Sequence, residues 1–171
     1  QYTNTGAVYT AYESNANGGT NWYMTGAAVT AADCCYFGHN SMFNGVTVTC
    51  ATAPSMSMTW VWEYWNGSSW ATLTTLANTI TTTMTAGGKC IVFNPPTDWA
   101  TTSVNGVTCY WIRMRVSAYT SQATRPIFTF GGVSFWNQLF SNTSGTTSHN
   151  SILWKIAGAS EPSQYIAHEA A

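Results

Sequence analysis

Charge is the scarcest property of this chain. Only 6% of its 171 residues are Asp, Glu, Lys or Arg, against about 25% in an ordinary soluble domain. Five scattered basic residues cannot build the cationic cluster that neutralises phosphates, so nucleic acid is not an expected partner. Long apolar runs are missing as well. No stretch approaches the ~20 uninterrupted apolar residues that cross a bilayer, so no membrane partner is expected. No signal-peptide pattern is present, and a chain opening on Gln1 instead of Met reads as processed or as part of a longer sequence. Sustained helical periodicity is absent too; Asp98–Ser103 has room for one short turn at most.

Catalytic chemistry is thinly supplied. The acids Glu13, Asp33, Glu63, Asp98, Glu161 and Glu169 are dispersed, whereas a glycosidase needs two carboxylates flanking one bond. Asp98, within Pro96-Thr97-Asp98-Trp99, has a plainer use in capping a turn, and Asp33 stands where a strand begins. His39, His149 and His168 lie far apart in loop-like contexts, without a metal or nucleophile motif. No glycine-rich phosphate loop precedes a helix. Cys34, Cys35, Cys50, Cys90 and Cys109 include no Cys-x-x-Cys pair. Four of them lie inside apolar runs, where Cys acts as a small buried hydrophobe, so free thiols are favoured over a disulfide. Their odd number leaves at least one unpaired within the chain. The expectation is a protein that is not an enzyme and holds neither cofactor nor metal. Asn66 and Asn142 open Asn-x-Ser/Thr sequons, which matter only in a secretory eukaryotic setting.

What the chain does have is apolar bulk: 45% hydrophobic and 15% aromatic residues, enough for a dense core and against disorder. Its polarity comes from Thr, Ser, Asn and Gly. Such a surface packs closely against neighbours because few ions must be desolvated. The length fits one domain.

The apolar pattern has period two. Val46, Val48 and Cys50 alternate with Thr47 and Thr49. Trp60, Trp62 and Tyr64 alternate with Val61, Glu63 and Trp65. Tyr110, Ile112, Met114 and Val116 alternate with Trp111, Arg113 and Arg115. Asn44-Gly45, Asn66-Gly67 and Asn105-Gly106 supply hairpin-turn chemistry between runs, and Gly87-Gly88 and Pro95-Pro96 punctuate further. Many short strands with spaced turns predict an all-β fold, an antiparallel sandwich or barrel. The expected organisation is a β-sandwich domain over 1–139, an exposed loop or linker over 140–150, and a final strand with a C-terminal tail over 151–171. Whether residues 1–30 join the same sandwich is left open.

Four ordered blocks carry a resemblance: DCCYFG (33–38) with MFNGVTV (42–48), WEYWNGSSW (62–70), FNPPTDW (93–99) and VNGVTCYWIRMRV (104–116). Together they resemble a β-sandwich domain of bacteriophage virion proteins, chiefly tail, baseplate and fibre-associated ones. The likeness spans Asp33 to Val116, about half the chain, and WKIAGASEPSQY (154–165) adds a weaker one. Cysteines stand where that family usually has aliphatics. The resemblance implies a jelly-roll-like fold, a place on the virion exterior and a structural role; it carries no catalytic residues across.

The residues themselves suggest roles. Trp62 and Tyr64 share a face and should anchor the core, Asn66-Gly67 turns the hairpin, and Trp99 closes the Pro-x-Asp-Trp corner. A charge in such apolar runs normally has a partner, so Glu63 is expected to pair with Arg113 or Arg115 across adjacent strands; the plainer alternative is unpaired charges on a solvent face. Trp65, Trp70, Trp111 and Trp136 are candidates for stacking on sugars or for an assembly interface. The leading functional expectation is a virion component, of tail, baseplate, fibre or capsid-decoration type, whose partners are copies of itself and other virion proteins. The alternative is a carbohydrate-binding module for host or surface glycans. A polysaccharide-degrading enzyme, or its accessory domain, is a third reading that two close carboxylates in an aromatic groove would revive.

Overall fold

A computed structural model describes residues 2–5, 8–138 and 152–155. It is all-β, built from two antiparallel sheets packed face to face. In chain order the elements are β1 (Tyr2–Thr5), β2 (Val8–Ala11), α1 (Glu13–Gly18), β3 (Cys34–His39), β4 (Gly45–Thr52), β5 (Ser55–Trp65) and β6 (Trp70–Thr72). There follow β7 (Thr75–Asn78), β8 (Gly87–Phe93), β9 (Thr101–Val104), β10 (Val107–Thr124), β11 (Ile127–Gln138) and β12 (Ile152–Lys155). The seven-stranded sheet runs β2-β1-β3-β10-β5-β6, with β9 also paired to β10; the five-stranded sheet runs β12-β11-β4-β8-β7.

Period-two alternation puts one face of each sheet into a shared core. Cys35, Phe37, Trp62, Ile112 and Met114 from the larger sheet meet Val46, Val48, Cys50, Ile91, Phe93 and Phe128 from the smaller one. Trp22 completes that core. It is fully buried and stacks on Phe128 at 4.7 Å between centroids. The two residues also exchange backbone hydrogen bonds of 2.9 and 3.0 Å. Gly131 makes this packing feasible, since a Cβ there would stand 2.5 Å from the Trp22 ring. With β1 paired to β3, the segment left open by the sequence contributes both a sheet strand and a core tryptophan.

Turn chemistry divides the three Asn-Gly pairs. Asn105 and Gly106 both take positive φ, 48° and 80°, and join β9 to β10 in a two-residue hairpin. Gly67, at φ 96°, follows Asn66, whose Oδ1 accepts hydrogen bonds from the Ser68 and Ser69 amides between β5 and β6. Asn44-Gly45 is not a hairpin turn. It carries the chain from β3 in one sheet to β4 in the other, and the Asn44 carbonyl accepts the Phe93 amide instead.

One other expectation needs correcting: Asp98–Ser103 forms no helical turn, because the turn closes from Pro96 to Trp99 and Thr101–Val104 is strand. Thr-Thr-Ser is as compatible with an edge strand as with a turn. The short α1, whose Ala16 lies in the inter-sheet core, escapes sequence reading because six residues are too few to display periodicity. The 140–150 segment, His149, Asn142, His168, Glu161 and Glu169 lie outside the described residues. Strand β12 pairs with β11, placing 152–155 at the edge of the five-stranded sheet.

Candidate functional site

The face of the seven-stranded sheet turned away from the inter-sheet core is where the candidate residues converge. On β5, Glu63 points opposite to Trp62 and Tyr64; on β10, Trp111, Arg113 and Arg115 point opposite to Ile112 and Met114. Register places Arg113 directly across from Glu63, with Arg115 across from Val61 one step along the same face.

Glu63 takes both arginines. Its Oε2 accepts the Arg113 Nε hydrogen bond at 2.7 Å, and Arg115 donates Nη2 to Oε1 at 2.7 Å and Nε to Oε2 at 3.1 Å. The carboxylate is buried, its side chain 8% exposed. Burial pushes its pKa up, but the hydrogen bonds from Arg115 and Arg113 and their charges outweigh that and hold it below the ordinary value. Arg113 also lies over the Trp70 ring, 4.3 Å from its centroid.

Aromatic rings surround this triad. Trp65 and Trp70 pair across β5 and β6 with centroids 5.6 Å apart, edge to face. Trp70 meets Tyr36 edge to face at 5.7 Å, and Tyr36 meets Trp111 at 6.5 Å. Cys34, Tyr36, Val104 and Trp111 form a second small core here, with Trp70 and Cys109 packed against it. Burial, then proximity to Cys34, raises the Tyr36 phenol far above its usual range, so it stays protonated.

All but one of the candidate tryptophan side chains have a defined place. Trp65 and Trp70 are half-buried and adjacent. Trp111 is 2% exposed, which corrects its reading as an open stacking platform. Its Nε1 donates to the Val107 carbonyl at 3.1 Å, and its ring is pressed onto Gly38. Alternation showed that Trp111 points away from Ile112, but not that this outer face is itself covered. Trp136 sits on β11 opposite Trp154, on the other sheet; its side chain lies outside the described residues. Trp62 and Trp99 are core residues, 5% and 3% exposed, and Tyr64 packs against the same core. Tyr36 and Cys34 were missed as members of this face. The DCCYFG block held them, but only pairing of β3 with β10 shows which of its residues face outward.

Asp98 accepts the Tyr64 hydroxyl at 2.9 Å instead of capping a turn through its own backbone. Buried Asp33 accepts the amide and hydroxyl of Thr30 at 3.0 and 2.9 Å, closing the turn that leads into β3. No group of three or more metal-ligating side chains occurs among the described residues. All five cysteines are free, with Cys34, Cys35 and Cys50 buried. Comparison with protein-family models, with curated proteins and with solved structures finds no match.

Proposed function

We propose that this chain is a structural domain of a bacteriophage virion, working through protein–protein contacts as a tail, baseplate, fibre or capsid-surface component. The observation that carries the reading is how little charge the sandwich offers to a neighbour. Glu63, Arg113 and Arg115 satisfy one another on one face, and Asp33 is buried within its turn. Exposed apolar side chains such as Leu76, Tyr119 and Phe130 stand among Thr, Ser and Gly. Burying such a surface against a neighbour desolvates few ions. Multiple copies in a particle would add weak contacts through multivalency. The ordered likeness over 33–116 to virion sandwich domains supports the same reading.

The test is to locate the chain in particles from its source by cryo-electron microscopy, with mass spectrometry of the purified particles. Regular symmetric copies bearing this fold on the particle exterior are expected. Particles that lack the chain would reject the proposal.

The Trp65–Trp70 pair beside Arg113 favours a second reading, a glycan-binding module, because half-buried indoles offer apolar faces to sugar rings. A glycan array probed with the wild type and with Trp65→Ala decides it. Signal lost in the variant supports glycan recognition; no signal with either protein removes it.

A further inference from the structure

The two strands of the long β5–β10 ribbon are built differently. Beyond the part of β10 covered by β3, the register slips three times, at Val116/Ala118, Tyr119/Ser121 and Gln122/Thr124. Each slip places the extra residue on β10, namely Ser117, Thr120 and Ala123, while Ser55 to Trp60 run without interruption. Bulges bend and twist the strand that carries them, which is one way natural sheets spoil an edge for further pairing. Strand β5 keeps the regular geometry.

Among the described residues, that regular strand has a largely unshared edge. Strand β6 pairs with β5 only over Glu63–Trp65, and the next contact is the Leu73 amide donating to the Trp62 carbonyl at 2.8 Å. The Trp62 carbonyl thus points to the side opposite β10. Strand alternation directs the N–H and C=O of Met58 and Met56 the same way. No described strand pairs with them there. The usual deterrents to edge pairing are missing as well: Ser55 to Trp60 contains no charge and no proline.

We propose that the β5 edge at Ser55–Thr59 is a strand-addition site occupied by the same edge of a second copy, antiparallel about a two-fold axis. Two features select a second copy. An antiparallel edge is self-complementary under a two-fold, so one strand supplies both halves of the ladder. The side chains also sort by face: Ser55, Ser57 and Thr59 are exposed on one side, while Met56 and Met58 pack with Val29, Val116 and Trp60 on the other. The two-fold would bring methionine stripe beside methionine stripe and hydroxyl row beside hydroxyl row, with no like charges opposed. This inference rests on the assembly reading and names its contact.

Sedimentation velocity over a hundredfold concentration range, combined with amide hydrogen exchange, tests it. The full chain is expected to dimerise, with the Met56 and Met58 amides gaining protection as dimer accumulates. Ser57→Lys combined with Thr59→Lys should weaken association at least tenfold, leaving the circular dichroism spectrum unchanged and the melting temperature unchanged at concentrations where both proteins are monomeric. A monomer across the whole range overturns the proposal. A dimer whose Met56 and Met58 amides exchange as in the monomer overturns the edge while leaving the assembly reading intact. Protection of these amides only on adding another particle protein would give the edge to that protein and overturn the second copy.

Discussion

The indole of Trp111 covers Gly38 so closely that a Cβ on Gly38 would stand 2.2 Å from Trp111 Cε3. The two residues are register partners on neighbouring strands, so the glycine is the space in which the outer-face core closes. Gly38→Ala is expected to destabilise the protein by about 3 kcal/mol, at the upper end of overpacking costs, because the contact is with a ring that is itself buried. Gly88 is the matched control: nothing lies within 4 Å of a Cβ built there, and Gly88→Ala should be neutral or stabilising by up to about 1 kcal/mol. Urea unfolding of both variants checks the contrast; equal losses would mean that the Trp111 contact does not decide the outcome.

Glu63 holds two cations that stand side by side on one face of β10. Removing its charge with Glu63→Gln leaves Arg113 and Arg115 without their counter-ion. Breaking a buried pair costs about 3–5 kcal/mol, and the 31% exposure of the Arg115 side chain reduces the expected loss to about 2–3 kcal/mol. Thermal unfolding at neutral pH measures it.

The same carboxylate gives a pH dependence of known sign. Its folded pKa is below its ordinary value of 4.5, so the native state binds fewer protons than the unfolded chain in that range. Its stabilisation is fully present above the ordinary value and is lost as pH falls through the folded one. Denaturation midpoints measured from pH 7 down to pH 3 should decline more steeply for wild type than for Glu63→Gln. Parallel curves would show that the triad contributes nothing to acid sensitivity.

Two buried tryptophans should respond differently to loss of the indole N–H. Trp99 Nε1 donates to the Trp111 carbonyl at 3.2 Å, whereas Trp62 Nε1 is buried without a hydrogen-bond partner among the described residues. Trp99→Phe loses one hydrogen bond to the Trp111 carbonyl; Trp62→Phe removes an unsatisfied donor. With similar cavities left behind, Trp99→Phe should cost about 1–2 kcal/mol more. Equilibrium denaturation of the two variants provides the comparison.

Thiol accessibility follows the strand faces. Cys90 and Cys109 are half-buried, while Cys34, Cys35 and Cys50 are buried. Burial raises the Cys34, Cys50 and Cys109 pKa values alike, so access more than thiolate content sets the order. Timed alkylation read by mass spectrometry should label Cys90 and Cys109 first, the other three only on unfolding, and reducing agent should leave the melting temperature unchanged. Rapid labelling of Cys34 would contradict the packing of the outer face.

Local information was enough for much of this protein. Alternation along 46–50, 60–65 and 110–116 determined the strands and which residues share a side, because a strand's side-chain period is a property of its own backbone. Asn105-Gly106 and Asn66-Gly67 determined their turns for the same reason: positive φ is a demand met within two residues. The expectation of a partner for Glu63 also came from sequence, through the cost of leaving a charge alone among aromatics. Only the tertiary structure decided that Asn44-Gly45 crosses between sheets, that Trp111 is covered, and that one carboxylate serves both arginines. It also decided that Trp22 enters the core and that β10, rather than β5, carries the bulges. These outcomes depend on which strand lies beside which, set by long-range packing between segments that can be a hundred residues apart, and no window of the chain contains both partners.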